Sequence, residues 1–367
     1  MKILFVNFSS LAFDVTTPES APLGGSESCL AYLATALARS HDVALLANTT
    51  DAVTLRGVRH FHLTEASTRQ LLAAQPFDVI VALNAPSYGP VLRQLSPAAR
   101  LILWNHHAPD QPAIEPLARP EVRRAFELVV YVSAWQRAAT EARFADCPHS
   151  CVIGNGLTPA FERMFGDAGE LLSTKQWRAA YTSTPFRGLA ELLDVYRQLD
   201  SPPTLDVFSS MRVYRGDDAP FQAMYADARS QPAVRYHGSV SQTQLAAAMR
   251  GVSFLSYPCV FPETFCIAAL EAMAAGALVV STDLGALAST TMGFAKLLPL
   301  EPMTRQEFLG RYRRLYSDAW REFQSDRAQW AERMFAQSTA VNGCATWRHR
   351  AADWVRRLNE LTGVRDQ

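Results

Sequence analysis

The 367-residue sequence has no net charge, with 35 Lys and Arg balanced by 35 Asp and Glu. That balance argues against a protein held to nucleic acid by bulk electrostatics, so any anion must be bound locally. Paired cysteines are missing too. Cys29, Cys147, Cys151, Cys259, Cys266 and Cys344 make no CxxC pair and no zinc-like Cys/His spacing, which reads as reduced, mostly buried thiols. No run of 18 or more apolar residues occurs; the nearest, around Ala272 to Val280, is interrupted by Gly276 and too short to span a bilayer. The opening MKILFVNFSS has one lysine and a short β-type run, without the long apolar stretch or cleavage site of a signal peptide. It is expected to start the fold of a cytoplasmic protein, with membrane contact at most peripheral, at the inner face.

What is present is a globular composition, 49% hydrophobic and 19% charged, in a chain long enough for two domains. Short continuous apolar runs at Ile3–Asn7, Val43–Ala47, Val79–Leu83, Leu101–Asn105 and Leu128–Val132 alternate with helix-patterned segments. Unbroken rather than alternating apolar strands point to a parallel sheet covered on both faces, a doubly wound α/β domain. A second series repeats it: strands at Leu205–Phe208, Val234–His237, Phe254–Tyr257 and Leu278–Ser281, with helices at Gly188–Gln198, Gln242–Arg250 and Thr264–Ala275. The Val152-Ile153-Gly154-Asn155-Gly156-Leu157 stretch carries turn punctuation between the two series. The expected division is therefore 1–154 and 155–345. An amphipathic helix over about 346–367, with Trp347, Ala351, Trp354, Val355 and Leu358 on one face, is expected to pack back on the first domain.

Four clusters have chemical potential. Gly24-Gly25-Ser26-Glu27 precedes a helix, so backbone amides there could approach a phosphate; the plainer alternative is a turn capped by Ser26. His107, in Trp104-Asn105-His106-His107, lies beyond the carboxyl end of a strand, where open α/β sheets bind ligands, and is preferred to His106. In Pro262-Glu263-Thr264-Phe265-Cys266, Glu263 is expected just before a helix that holds Glu271 about two turns in, with the amides of Thr264, Phe265 and Cys266 at the helix start facing phosphates. The two glutamates would then stand about 12 Å apart along the helix axis and accept from sugar and ribose hydroxyls. Arg187, in Thr184-Pro185-Phe186-Arg187-Gly188, opposes the helix macrodipole and so suggests a bound anion, with Arg212 as a second candidate cation.

Taken together these residues resemble the retaining glycosyltransferases of the GT-B fold, the large family with a Glu-x7-Glu motif, here Glu263 to Glu271 within PETFCIAALEAMAAGALVVST. GGSE near the N-terminus and VIGNGL at the junction support the resemblance, which covers most of the chain. It implies two Rossmann-like, doubly wound parallel-sheet domains facing each other across a cleft. It implies roles as well: Gly24 and Gly25 near the donor phosphates, His107 beside the donor sugar, Arg187 on the diphosphate, Glu263 on the sugar and Glu271 on the ribose. Gly238, Ser239 and Val240, after His237, resemble the base-binding turn. One departure stands out: Ala180 and Tyr181 occupy the place of a Gly-Arg pair common in the family, and Arg212 is the candidate replacement.

The chemistry so implied is sugar transfer from a nucleotide-diphosphate sugar to a hydroxyl of a glycan, lipid-linked or protein acceptor, as in polysaccharide synthesis. It is expected to proceed with retention and without a cofactor or metal, since no carboxylate pair with metal-ligand spacing flanks the phosphate loops. A UDP-sugar is the first expectation for the donor, with GDP- or ADP-sugars as alternatives. The loop Ser9 to Pro22 and the region Asp110 to Glu121 are expected to shape the acceptor site without naming its occupant. A sugar-nucleotide epimerase of the same fold and an inactive nucleotide-sugar-binding subunit are the competing functions. A phosphorylase is disfavoured because Lys2, Lys175 and Lys296 are the only lysines and none lies in a convincing pyridoxal site. The arginines at 305, 311, 313, 314 and 321 suit a solvated face better than a lipid-binding one.

Overall fold

The unbroken apolar runs become buried strands of parallel sheets. The computed structural model describes residues 1–49, 52–144 and 146–363. The chain divides into two compact units, the first formed by Met1–Pro18, Leu23–Gly156 and the chain from Trp347 onward, the second by Glu19–Pro22 and Leu157–Thr346.

The first unit is built on strands β1 (Lys2–Asn7), β2 (Asp42–Ala47), β3 (Thr54–Leu55), β4 (Val58–His62), β5 (Val79–Leu83), β6 (Arg100–Asn105), β7 (Leu128–Tyr131) and β8 (Ser150–Val152). Their order is β3-β4-β2-β1-β5-β6-β7-β8, and every pairing is parallel except β3 with β4. The chain winds outward from β1 in one direction to β2 and β4 and in the other to β5, β6 and β7, so the order reverses between β1 and β5. Helices α1 (Gly25–Leu37), α2 (Glu65–Ala74), α3 (Gly89–Leu95) and α4 (Ala134–Arg143) are its longer crossovers.

The terminal helix, Trp347–Thr362, packs on α1 of this unit. Trp354 and Leu358 are fully buried, and the Trp354 ring meets that of Trp104 on β6 edge to face at 5.2 Å. A Cβ on Gly156 would come within 2.5 Å of the Trp347 ring, so this glycine is needed for close approach. The last four positions of the expected helix lie outside the described residues.

The second unit carries β9 (Arg178–Tyr181), β10 (Thr204–Val207), β11 (Val234–Tyr236), β12 (Phe254–Tyr257), β13 (Leu278–Thr282) and β14 (Lys296–Leu298). The order is β11-β10-β9-β12-β13-β14, parallel throughout, with its reversal between β9 and β12. Helices α5 (Ala168–Thr174), α6 (Leu189–Tyr196), α7 (Gln222–Ser230), α8 (Gln242–Met249), α9 (Ile267–Ala274), α10 (Arg305–Ser325) and α11 (Arg327–Cys344) cover it. On α10 the i, i+4 series Phe308, Tyr312, Tyr316 and Trp320 is buried. Three of its arginines are held at the surface by carboxylates: Arg305 by Asp194, Arg311 by Glu301 and Arg321 by Asp318.

Helix α9 differs from expectation at its start. It begins at Ile267, not near Thr264, because Cys266 has left-handed backbone angles, φ 73° and ψ 77°, which cannot continue a helix. Its C-terminus is fastened completely. Gly276 (φ 65°) closes a Schellman turn, with Ala277 N–H donating to the Ala272 carbonyl and Gly276 N–H to that of Met273. The Gln337 amide donates to the Met273 and Ala277 carbonyls at 3.0 Å, Ser338 to Ala274 at 2.7 Å, and the buried Lys175 ammonium to Ala275 at 2.5 Å and Val252 at 2.6 Å. Lys175, one of three lysines, thus ties α9 to the loop before β12, and burial pulls its pKa well below the usual range.

Candidate functional site

In the second unit the order reversal between β9 and β12 opens onto two short segments. After β9 the chain makes a single turn, Pro185–Arg187, and bends at Gly188. Gly188 has φ 120°, and a Cβ there would lie 2.1 Å from the Pro258 carbonyl. After β12 the chain runs from Pro258 to Glu263. The Gly285 backbone packs against that glutamate so closely that a Cβ would lie 2.3 Å from its carbonyl oxygen, and Ala286 N–H donates to the same oxygen at 2.7 Å.

These backbone constraints bring Arg187 and Glu263 together. Arg187 Nη1 donates to Glu263 Oε1 at 2.7 Å, and the Tyr257 hydroxyl donates to that same oxygen. The Arg187 guanidinium lies over the Phe261 ring at 4.7 Å and near the Phe186 ring at 5.6 Å. Its Nε is buried and has no hydrogen-bond partner, an unmet donor on a charged group. The pair is largely desolvated, since Arg187 keeps 20% of its side chain exposed and Glu263 only 7%.

Glu271 is the fifth residue of α9 and is buried. Its Oε1 accepts from the Thr158 hydroxyl at 2.5 Å, and burial, only partly offset by that bond, pushes its pKa up to about 7. The expected axial offset between the two glutamates assumed a helical rise from Thr264, whereas the helix begins only at Ile267 and the three residues after Glu263 are not part of it. Thr264, Phe265 and Cys266 therefore lie in the approach to α9. The first-turn amides without intrahelical partners belong to Ile267 and the residues after it, and Cys266 supplies no side-chain cap.

Arg212 stands outside the Arg187–Glu263 pair. It lies in the turn Met211–Tyr214, 82% of its side chain is exposed, and its Nε is 3.7 Å from Asp218. At the end of β11, His237 Nε2 is 2.8 Å from the buried Asp206 carboxylate, which also holds Arg178, and its ring stacks on Phe208 at 4.6 Å. Gly238 follows at φ 73°, with open space where a Cβ would be; Ser239 and Val240 are half-buried.

In the first unit Gly24 is the N-cap of α1 at φ −59°, an angle any residue adopts, and no side chain caps the helix, so Ser26 does not serve as the cap. His107 follows β6 in a loop held by amides. Asn105 accepts from His107 N–H at 3.0 Å, Asn84 accepts from His106 N–H at 2.7 Å, and Gln136 donates to the Asn105 and His107 carbonyls, each at 2.9 Å. Gln111 Oε1 accepts from Ala108 N–H at 3.0 Å and lies 2.7 Å from His107 Nδ1, which must therefore carry the proton, leaving Nε2 as an acceptor. Burial lowers the pKa of His107, and that of its neighbour His106 further, to about 3.

Sequence reasoning did not single out Tyr257, Thr158, Gly285, Gln136 or Glu27. Glu27 sits in the first turn of α1, buried, with its pKa raised by desolvation and Asn7 Nδ2 at 3.4 Å. Among the described residues no cluster of three or more metal-ligating side chains occurs, and no helix is long and apolar enough to cross a membrane.

Two parallel-sheet α/β units of 8 and 6 strands give this chain the GT-B fold. Residues 187–318, which hold Arg187, Glu263 and Glu271, match the family model described as Glycosyl transferases group 1. Solved structures share its fold at low identity. Sucrose-phosphate synthase from Thermosynechococcus elongatus aligns at 16% identity over 100% of both chains with a TM-score of 0.75. HepE from Anabaena, in complex with UDP-glucose, aligns at 17% over 98% of this chain and 100% of its own, TM-score 0.72. The catalytic domain of starch synthase IV from Arabidopsis thaliana, bound to ADP and acarbose, aligns at 14% over 99% of each chain, TM-score 0.67. No curated protein matches at the sequence level.

Proposed function

We propose that the chain moves a sugar from a nucleotide-diphosphate sugar to a hydroxyl acceptor with retention of anomeric configuration and without a divalent metal. The observation that carries this reading is the desolvated Arg187–Glu263 pair at the strand reversal of the second unit, with an unmet Arg187 Nε donor beside it. Ligands in open α/β sheets bind beyond the carboxyl ends of strands at such reversals. Arg187 neutralises the diphosphate, assisted by the α9 amides and the exposed Arg212, while Glu263 accepts from hydroxyls of the sugar and Glu271 from the ribose. The turn Gly238–Val240 receives the base. Gly24 and Gly25 approach the phosphates, and His107 contacts the sugar through its unprotonated Nε2.

The acceptor hydroxyl attacks the anomeric carbon, and the bond from that carbon to the diphosphate oxygen breaks with its electrons leaving on the phosphate. The phosphate oxygen takes the acceptor's proton. Charge grows on the leaving group, so preorganised cations and amides supply the rate enhancement.

A UDP-sugar is the proposed donor, supported by the UDP-glucose bound to the similarly folded HepE; the ADP on starch synthase IV makes ADP-sugars the comparison. Acceptors are glycans, lipid-linked sugars or proteins of glycan synthesis. The test is thermal shift with UDP-, GDP- and ADP-sugars, followed by NMR of the product's anomeric signal. Stabilisation by a UDP-sugar and a retained anomer are expected. An inverted product, or conversion of the donor to an isomer without any acceptor, would overturn the proposal.

A further inference from the structure

Tyr257 ends β12 at the strand reversal, buried, with its ring packed edge-on to that of Tyr181, which ends β9, at 5.8 Å. Its hydroxyl donates to Glu263 Oε1, the same oxygen that receives Arg187 Nη1, and Ser183 Oγ lies 3.4 Å from that hydroxyl. Burial, and then the Glu263 charge, raise the phenol's pKa well above its usual value, so it remains a donor throughout the physiological range.

The two donors on one carboxylate oxygen differ in what else they can do. A guanidinium drawn onto a diphosphate weakens its bond to Glu263, and a buried carboxylate that loses its cation without replacement is strongly disfavoured. The buried phenol gives its one proton to Glu263. We propose that Tyr257 is the positioning residue that keeps the Glu263 carboxylate oriented and hydrogen-bonded while Arg187 engages the donor diphosphate. The inference rests on the roles proposed above for Arg187 and Glu263. It assigns Tyr257 no contact with substrate; it acts through Glu263.

Tyr257→Phe keeps the ring and its packing on Tyr181 and removes only the donor. Its kcat is expected to fall about 10- to 100-fold, with donor Kd by calorimetry and Tm close to wild type, and Glu263→Gln/Tyr257→Phe is expected to be no slower than Glu263→Gln alone. Additive losses in that cycle, or a wild-type kcat in Tyr257→Phe when Glu263→Gln is impaired, would overturn the inference and leave the donor site standing. A fully active Glu263→Gln would instead overturn the site itself. If Tyr257→Phe does not fold, fluorination of the Tyr257 ring preserves shape and changes only donor acidity. A shift in kcat at unchanged donor Kd supports the inference, and no shift overturns it.

Discussion

The Thr158 hydroxyl donates to Glu271 Oε1 across 2.5 Å, the bond that best accounts for a carboxylate buried in the second turn of α9. Burial outweighs that bond and raises the Glu271 pKa from 4.5 to about 7. Below about 4.5 the group is protonated in both folded and unfolded chains. Between the two values only the folded chain keeps the proton, so this group's stabilising effect fades as pH rises and is gone above about 7. Glu271→Gln should therefore be more stable than wild type at pH 8, by on the order of 3 kcal/mol at ~1.4 kcal/mol per pH unit, and equal to it near pH 4. Thermal unfolding of both chains across that range checks this; a pH-independent gap would contradict it.

The Arg187–Glu263 bond predicts a stability coupling distinct from catalysis. Arg187→Ala leaves a buried carboxylate without its cation and should cost roughly 2 kcal/mol, less than a fully buried pair because a fifth of the arginine side chain meets solvent. In a Glu263→Gln background the same change should cost under about 1 kcal/mol. Urea unfolding of the four chains measures the difference. Arg187→Lys should not restore turnover, since one ammonium cannot reproduce the guanidinium's separate Nη1 and Nε donors.

Two glycines place that pair. A Cβ at position 188 would meet the Pro258 carbonyl at 2.1 Å, and one at position 285 the Glu263 carbonyl at 2.3 Å. Both also have positive φ, 120° and 70°. Gly188→Ala and Gly285→Ala should each lose at least about 2 kcal/mol of stability. In whatever fraction folds, turnover should fall more than nucleotide affinity. Wild-type melting and turnover in either variant would show that the backbone approach is not required.

The sheets were legible in the sequence where strands are long and apolar, as in Ile3–Asn7 or Leu278–Ser281. Strands β4, β9 and β14 were not, because Val-Arg-His-Phe-His, Arg-Ala-Ala-Tyr and Lys-Leu-Leu are short or half polar and owe their state to neighbours in the sheet. The carboxylates Glu263 and Glu271 could be named from their spacing, but not their partners. Thr158 lies 113 residues from Glu271 and Arg187 76 from Glu263, distances over which no local pattern speaks. The start of α9 was misplaced because nothing in Thr-Phe-Cys marks a left-handed residue, a conformation usually left to glycine.

The account turns on nucleotide binding by the second unit through Glu271. Calorimetric titration of uridine diphosphate into wild type and Glu271→Ala, both folded at the working temperature, tests it most directly. The expected result is binding to wild type and an affinity about 10- to 100-fold lower in the variant, the loss of hydrogen bonds to the buried Glu271 carboxyl. Equal affinity in the two chains would contradict it.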